Sequence, residues 1–250
     1  MEHTRLLECL ASDHARLRAV AGVADLTVAV PSCPGWTLAD LVRHVGEVYL
    51  HKVECMRLNS HPEPWPPAGL ADEDPLELYD RAYAALSAEF ATRDPDSPAF
   101  TWYGPDQTVG FWIRRMAQET VIHRIDAELA AGVDQAPVPD DLALDGIDEF
   151  LVAFVEYGSR TWPDEYSDVL ATADGRSVLA ETSGAAWLIR PTPDEVQVRV
   201  SDIDGADATV AGKPPALLQW LWNRADESVT TTGDADLIGY LRTVLAAGAQ

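Results

Sequence analysis

The chain has 250 residues, 47% of them apolar and 24% charged, with 8 Trp, 7 Tyr and 5 Phe. That composition belongs to a folded protein and excludes a disordered chain, a coiled coil or a collagen-like repeat; a chain this long folds without a disulfide or structural metal. Eighteen Lys and Arg against 41 Asp and Glu give a formal charge of −23, spread over both halves, so no basic cluster serves a nucleic acid or an anionic membrane surface.

Four long helical patterns fill the first half. The first runs from about Glu2 to Ala24. The loop Val30-Pro31-Ser32-Cys33-Pro34-Gly35-Trp36 follows, and Thr37 with Asp40 three residues on reads as a variant capping box. The second helix carries Leu38, Leu41, Val42, Val45, Val48, Tyr49 and Val53 at helical spacing and ends before the proline-rich Pro62–Pro67 loop. Pro75 opens a third helix to about Arg93, and after Asp94-Pro95-Asp96-Ser97-Pro98 a fourth runs from about Gln107 to Ala131. Four amphipathic helices of this length suggest a bundle over residues 1–135.

The second half changes character. The linker Gly132–Pro139 leads to a helix near Asp140–Tyr157. Short strand-like runs follow at Ser177–Thr182, Ala185–Arg190, Val196–Val200 and Ala208–Val210. Lys213-Pro214-Pro215 starts another helix through Trp222, and a run Ser228–Thr231 and a helix Asp234–Leu245 close the chain. Strands and helices without βαβ regularity read as an α+β domain over residues 140–250. No apolar run approaches the ~18 residues of a membrane span, and Met1-Glu2-His3-Thr4-Arg5 is not a secretory signal. Cys9, Cys33 and Cys55, odd in number and without a Cys-x-x-Cys pair, match cytoplasmic usage and give no case for a catalytic thiol.

One constellation could carry chemistry. His44 and His51 lie nearly on one face of the second helix, with His44 directed to the apolar stripe, while Glu119 and His123 stack at i and i+4 on the fourth. The fourth helix is apolar around most of its girth, so a Glu there needs a partner. A divalent cation held by His44, Glu119 and His123 is one; zinc accepts imidazole nitrogen and carboxylate oxygen, and catalytic sites use three protein ligands with one position open. An ion pair involving Arg114, Arg115 or Arg124 is the other, and spacing alone leaves both open. The sequence has no Gly-x-Gly-x-x-Gly, P-loop, Gly-x-Ser-x-Gly or His-Glu-x-x-His motif. Asp134, Asp140, Asp141, Asp145 and Asp148 lack calcium-loop spacing and read as a solvated linker and helix start.

The stretch from Val30-Pro31-Ser32-Cys33-Pro34-Gly35-Trp36 through His44-Val45-Gly46 resembles the opening of the mycothiol-dependent maleylpyruvate isomerase family, part of a DinB-like superfamily of four-helix-bundle metalloenzymes. Trp112 through Glu128 resembles the family's second signature, with Gln118 where the family usually has His. Ala208-Thr209-Val210, Leu217–Arg224 and Thr232-Gly233-Asp234 resemble its smaller, sterol-carrier-like domain, with Asn223 where Gly is usual. The resemblance implies zinc on His44, Glu119 and His123, a cleft-facing Arg224 that binds an anionic group, and mycothiol as thiol cosubstrate. His51 would then line the cleft or support the ligands, or be a partly exposed helix residue; Trp36 and Trp112 read as packing residues.

Together these readings give an α+β protein, a DinB-like bundle followed by a smaller sterol-carrier-like domain. The expected activity is that of a zinc-dependent, mycothiol-using enzyme whose metal-bound thiolate adds to an electrophilic small molecule. Elimination after bond rotation makes it an isomerase, and retention of the adduct an S-transferase. A metal-binding or interaction module of the same fold without thiol transfer is the alternative. Expected partners are the electrophile and a low-molecular-weight thiol, not nucleic acid or membrane; the bundle surface could also pair in a homodimer.

Overall fold

The structure, a computed structural model, describes residues 1–200, 205–224 and 228–249. The chain divides into two compact units, Met1–Ala136 and Pro137–Gln250.

The first unit is built from α1 (His3–Ala21), α2 (Leu38–Leu58), α3 (Pro75–Thr92) and α4 (Val109–Ala131). Their starts are set by local chemistry. Thr37 Oγ1 accepts from Asp40 N while Asp40 Oδ2 accepts from Thr37 N, closing the capping box of α2. Asp74 accepts from the amides of Leu76 and Glu77 ahead of Pro75 in α3, and Thr108 accepts from Phe111 N in α4. The first helix stops at Ala21, three residues before the predicted end, with Gly22 as its cap. Helix α1 packs on α4 and α2 on α3. The α2–α3 contact is close at Gly46, where a Cβ would lie 3.1 Å from Leu78 Cγ and 3.3 Å from the Tyr79 backbone.

Helix α4 is buried on every side, from Val109 to Glu128 with few gaps. Several of its charged side chains are paired with buried partners. Arg124 donates through Nε to Asp13 Oδ1 at 3.0 Å and through Nη1 to Glu128 Oε2 and Ala136 O, each at 2.7 Å. Arg16 closes the cluster on Glu128 Oε1 at 2.7 Å.

The second unit begins with α5 (Asp140–Asp148), which widens into a π-helical turn over Glu149–Glu156 and returns to α-helix in α6 (Tyr157–Thr161). Helix α7 (Pro163–Leu170) follows, unmarked in the sequence reading. The sheet comprises β1 (Val178–Thr182), β2 (Ala185–Pro191), β3 (Val196–Val200), β4 (Ala208–Gly212) and β5 (Val229–Gly233), in the order β3-β2-β1-β4-β5. Strands β1 and β4 are parallel, with Val178 opposite Ala208, and the other neighbours are antiparallel. In β1, Val178, Ala180 and Thr182 are buried, the period-two pattern of a half-covered sheet. Helices α8 (Pro214–Leu221) and α9 (Ala235–Gly248) complete the unit, so its class is α+β. At the end of β5, Gly233 has φ 85°, and a Cβ there would sit 2.5 Å from Asp207 O, so only glycine fits.

Candidate metal centre

Three of the four residues singled out in the sequence meet in the first unit. His44 Nε2 lies 3.2 Å from Glu119 Oε1, and His123 Nε2 lies 3.3 Å from the same oxygen. The capping box fixes where α2 starts and so where His44 stands; the i, i+4 stacking on α4 fixes the other two. The His44 side chain is 36% exposed and Glu119 14%, so the group opens at the His44 edge. His44 thus sits at the margin of the apolar stripe rather than inside it.

Glu119 Oε2 and His123 Nδ1 each have their own support. Arg115 Nη2 donates to Glu119 Oε2 at 2.5 Å, so the expected arginine partner is Arg115, while Arg124 belongs to the cluster with Asp13 and Glu128. His123 Nδ1 donates to Asp126 Oδ2 at 3.0 Å. Asp126, fully buried, also accepts from Ser32 Oγ at 2.5 Å and from Cys33 Sγ at 3.7 Å. The Trp36 ring lies 4.8 Å from that of His44 and 6.4 Å from that of His123. Burial works against both charges of the Glu119–His123 pair, and their mutual attraction overrides it. His123 and Arg115 hold the Glu119 carboxyl well below the usual range; Glu119 and the Asp126 hydrogen bond push His123 up to about 9.

The donor set fits a zinc ion. Bonds of about 2.0–2.1 Å in a tetrahedron hold donor atoms roughly 3.3 Å apart, close to the 3.2 and 3.3 Å between Glu119 Oε1 and the two Nε2 atoms. All three donor atoms lie within 4.8 Å of one another. A second group with the right donor types, Cys33, His123 and Asp126, shares His123 through its other side.

The other candidates stand elsewhere. His51 contacts His61 Nε2 at 3.4 Å, accepts at Nδ1 from Lys52 at 3.1 Å and from Cys55 at 3.5 Å, and lies edge-on to Trp65. Trp112 is buried, donates to Phe100 O at 2.9 Å, and carries the Lys52 amine 5.0 Å above its ring. Gln118 is buried. Arg224 belongs to the second unit, where its Nη1 donates to Trp222 O at 2.5 Å and its guanidinium lies 5.7 Å from the Trp222 ring. All three cysteines are free. Sequence reasoning gave Asp126 no role, although its place three residues after His123 on one helix was the available signal.

A helical bundle with a His₂Glu group inside it, followed by a small α+β unit, is the arrangement of elements that the sequence resemblance implies. The chain belongs to the mycothiol-dependent maleylpyruvate isomerase family: residues 7–128 match the mycothiol maleylpyruvate isomerase N-terminal domain, and residues 141–239 match the MDMPI C-terminal domain. Among solved structures, that of the mycothiol-dependent maleylpyruvate isomerase is similar, with 13% identity and a TM-score of 0.66 over 94% of this chain and 95% of that one. A point mutant of the same isomerase gives 12% identity and a TM-score of 0.64 over the same shares. At such identity the likeness shows the fold. Comparison with curated proteins gave no match. Among the described residues, no helix is long and apolar enough to cross a membrane.

Proposed function

We propose that this protein is a zinc-dependent enzyme that uses mycothiol to attack an electrophilic small molecule, either as a cis–trans isomerase or as an S-transferase. The observation that carries the reading is the convergence of His44 Nε2 and His123 Nε2 on one oxygen of Glu119. When bound there, zinc lowers the pKa of a coordinated thiol, so the sulfur is nucleophilic at neutral pH. The family likeness supplies the thiol and the reaction class.

The chain's own residues prepare the site. Arg115 holds one oxygen of Glu119 and leaves the other to the histidines. The exposed edge at His44 admits the thiol, while Trp36 covers the two imidazoles on one side. Arg224 takes an anionic group of the substrate, for which a planar guanidinium is suited. The alternative, a module of the same fold without thiol transfer, draws on the fact that Arg115 and His123 already neutralise Glu119.

Metal analysis of the purified protein, followed by thiol titration, separates the two. One zinc per chain is expected, lost on His44→Ala, Glu119→Ala or His123→Ala, since three ligands leave none to spare. Full occupancy in any variant removes that residue from the set, and bound zinc with no thiol-dependent turnover favours the module. For Arg224, substitution by Lys keeps the charge and loses the fork. A charged hydrogen bond is worth about 1.5–3 kcal/mol, so turnover should fall roughly tenfold to a hundredfold with zinc content unchanged. Arg242→Lys is the control; Arg242 lies over Trp220 and donates to Asn223. Equal behaviour of the two variants on every active thiol–electrophile pair would make Arg224 structural.

A further inference from the structure

The His123 imidazole has two nitrogens, and only Nε2 faces His44 and Glu119. Its Nδ1 is engaged by a carboxylate from the same helix, Asp126, at 3.0 Å. That carboxylate is fully buried, and its other oxygen accepts from Ser32 Oγ at 2.5 Å, 94 residues away in sequence. Cys33 Sγ adds a weaker contact at 3.7 Å. Ser32 and Cys33 sit in the loop that ends in Trp36, whose ring lies against both histidines. The loop is also pinned by its own backbone, with Val30 N donating to Trp36 O at 2.9 Å and Leu38 N to Val28 O at 2.9 Å. One side chain therefore joins a histidine of the candidate centre to the loop that covers it.

We propose that Asp126 is the positioning residue of the metal centre. By accepting from His123 Nδ1 it fixes the ring so that the Nε2 lone pair points at His44 and Glu119, and by accepting from Ser32 it holds the Val30–Trp36 loop against the two imidazoles. A carboxylate behind a ligating histidine sets the tautomer and raises ligand basicity, and removing such a partner weakens metal binding about 10- to 100-fold. The inference rests on reading His44, Glu119 and His123 as the ligands. It also assigns the Cys33–His123–Asp126 group: its atoms satisfy one another as hydrogen-bond donors and acceptors, and the group supports the ion instead of holding one.

The test measures zinc affinity by competition with a chromophoric chelator, with cobalt(II) absorption as a second readout. Asp126→Asn is nearly isosteric and keeps one acceptor oxygen, so it should fold; Ser32→Ala keeps the His123 contact and removes only the loop tie. Asp126→Asn is expected to weaken zinc about 10- to 100-fold and to shift the cobalt(II) d–d bands, with a smaller change for Ser32→Ala. Unfolding of the metal-free variants shows whether the fold is intact. Unchanged zinc affinity in Asp126→Asn, with or without lost stability, overturns the proposal while leaving the ligand set standing. Zinc retained by His44→Ala but lost in Cys33→Ser would move the ion to the Cys33 group and overturn it differently. A wild-type protein that takes up no zinc would overturn the ligand set and the Asp126 role together.

Discussion

Helix α4 carries two ionic pairs of identical spacing on successive turns, Glu119 with His123 and Arg124 with Glu128. The second is closed: the Arg124 and Glu128 side chains are 0% exposed, and their partners are Asp13, Arg16 and the backbone of Ala136. A guanidinium keeps its proton at any accessible pH and offers no lone pair, so this cluster can only hold the bundle together. The first pair is open at the His44 edge and built on imidazoles, which can exchange a proton for a metal ion. The same helix thus carries one cluster closed to solvent and one whose donor types suit a metal ion. The difference lies in the donor type and in the exposed side.

The largest effect should come from the closed cluster. Arg124→Met takes the cation from buried Asp13 and leaves Glu128 with Arg16 alone, and stability should fall by about 3–5 kcal/mol, read as a lowered urea midpoint, with zinc content per folded chain unchanged. His44→Ala should do the reverse, losing the metal with little change in the metal-free unfolding midpoint, because the removed ring is a third exposed. If the two substitutions cost the same stability, the contrast between the clusters fails.

Acid sharpens the comparison from another side. His14, on the α1 face beside Asp13, is stacked 3.5 Å from Tyr83 and 4.5 Å from Tyr79, and burial lowers it to about 4. His51 is lowered to about 3, first by burial and then by Lys52. Both are proton-poor in the folded state and titrate near 6.5 when unfolded, so the unfolded chain binds more protons between these values. Stability should therefore fall as the pH drops from about 6.5 towards 4, and His14→Phe should flatten that fall. A midpoint that is constant over this range would show that neither ring is held neutral. The smallest effect belongs to the helix start: Thr37→Ala should cost about 1 kcal/mol and loosen zinc slightly, since α2 frays towards His44.

Much of this was legible in the sequence because it is local. Thr37 and Asp40 announce the start of α2, the i, i+4 spacing announces Glu119 with His123, and Pro75 and Gly132 mark helix limits. The parts that were not legible depend on contacts between distant segments. Ser32 and Asp126 are 94 residues apart, and nothing in either neighbourhood specifies that they meet. The choice of Arg115 over Arg114 and Arg124 as partner of Glu119 depends on which way each side chain leaves α4. In the second unit the periodicity of Asp140–Tyr157 shows a helix, yet the wider winding of Glu149–Glu156 leaves no mark in the pattern. Alternation identifies strands but not that β4 inserts beside β1 in parallel.

Gly46 makes the centre depend on a residue that takes no part in it. It sits two positions after His44, where α2 comes within van der Waals reach of Leu78 and Tyr79. Any larger side chain there acts as a wedge: α2 must rise away from α3 or turn about its axis, and His44 moves with the same rigid rod. A rotation of a few degrees is enough to swing an imidazole nitrogen by a few tenths of an ångström, at the end of a side chain several ångströms long. The tolerance of this position to substitution is thereby set by the aim of a donor atom on the far side of the helix as well as by the room between two helices.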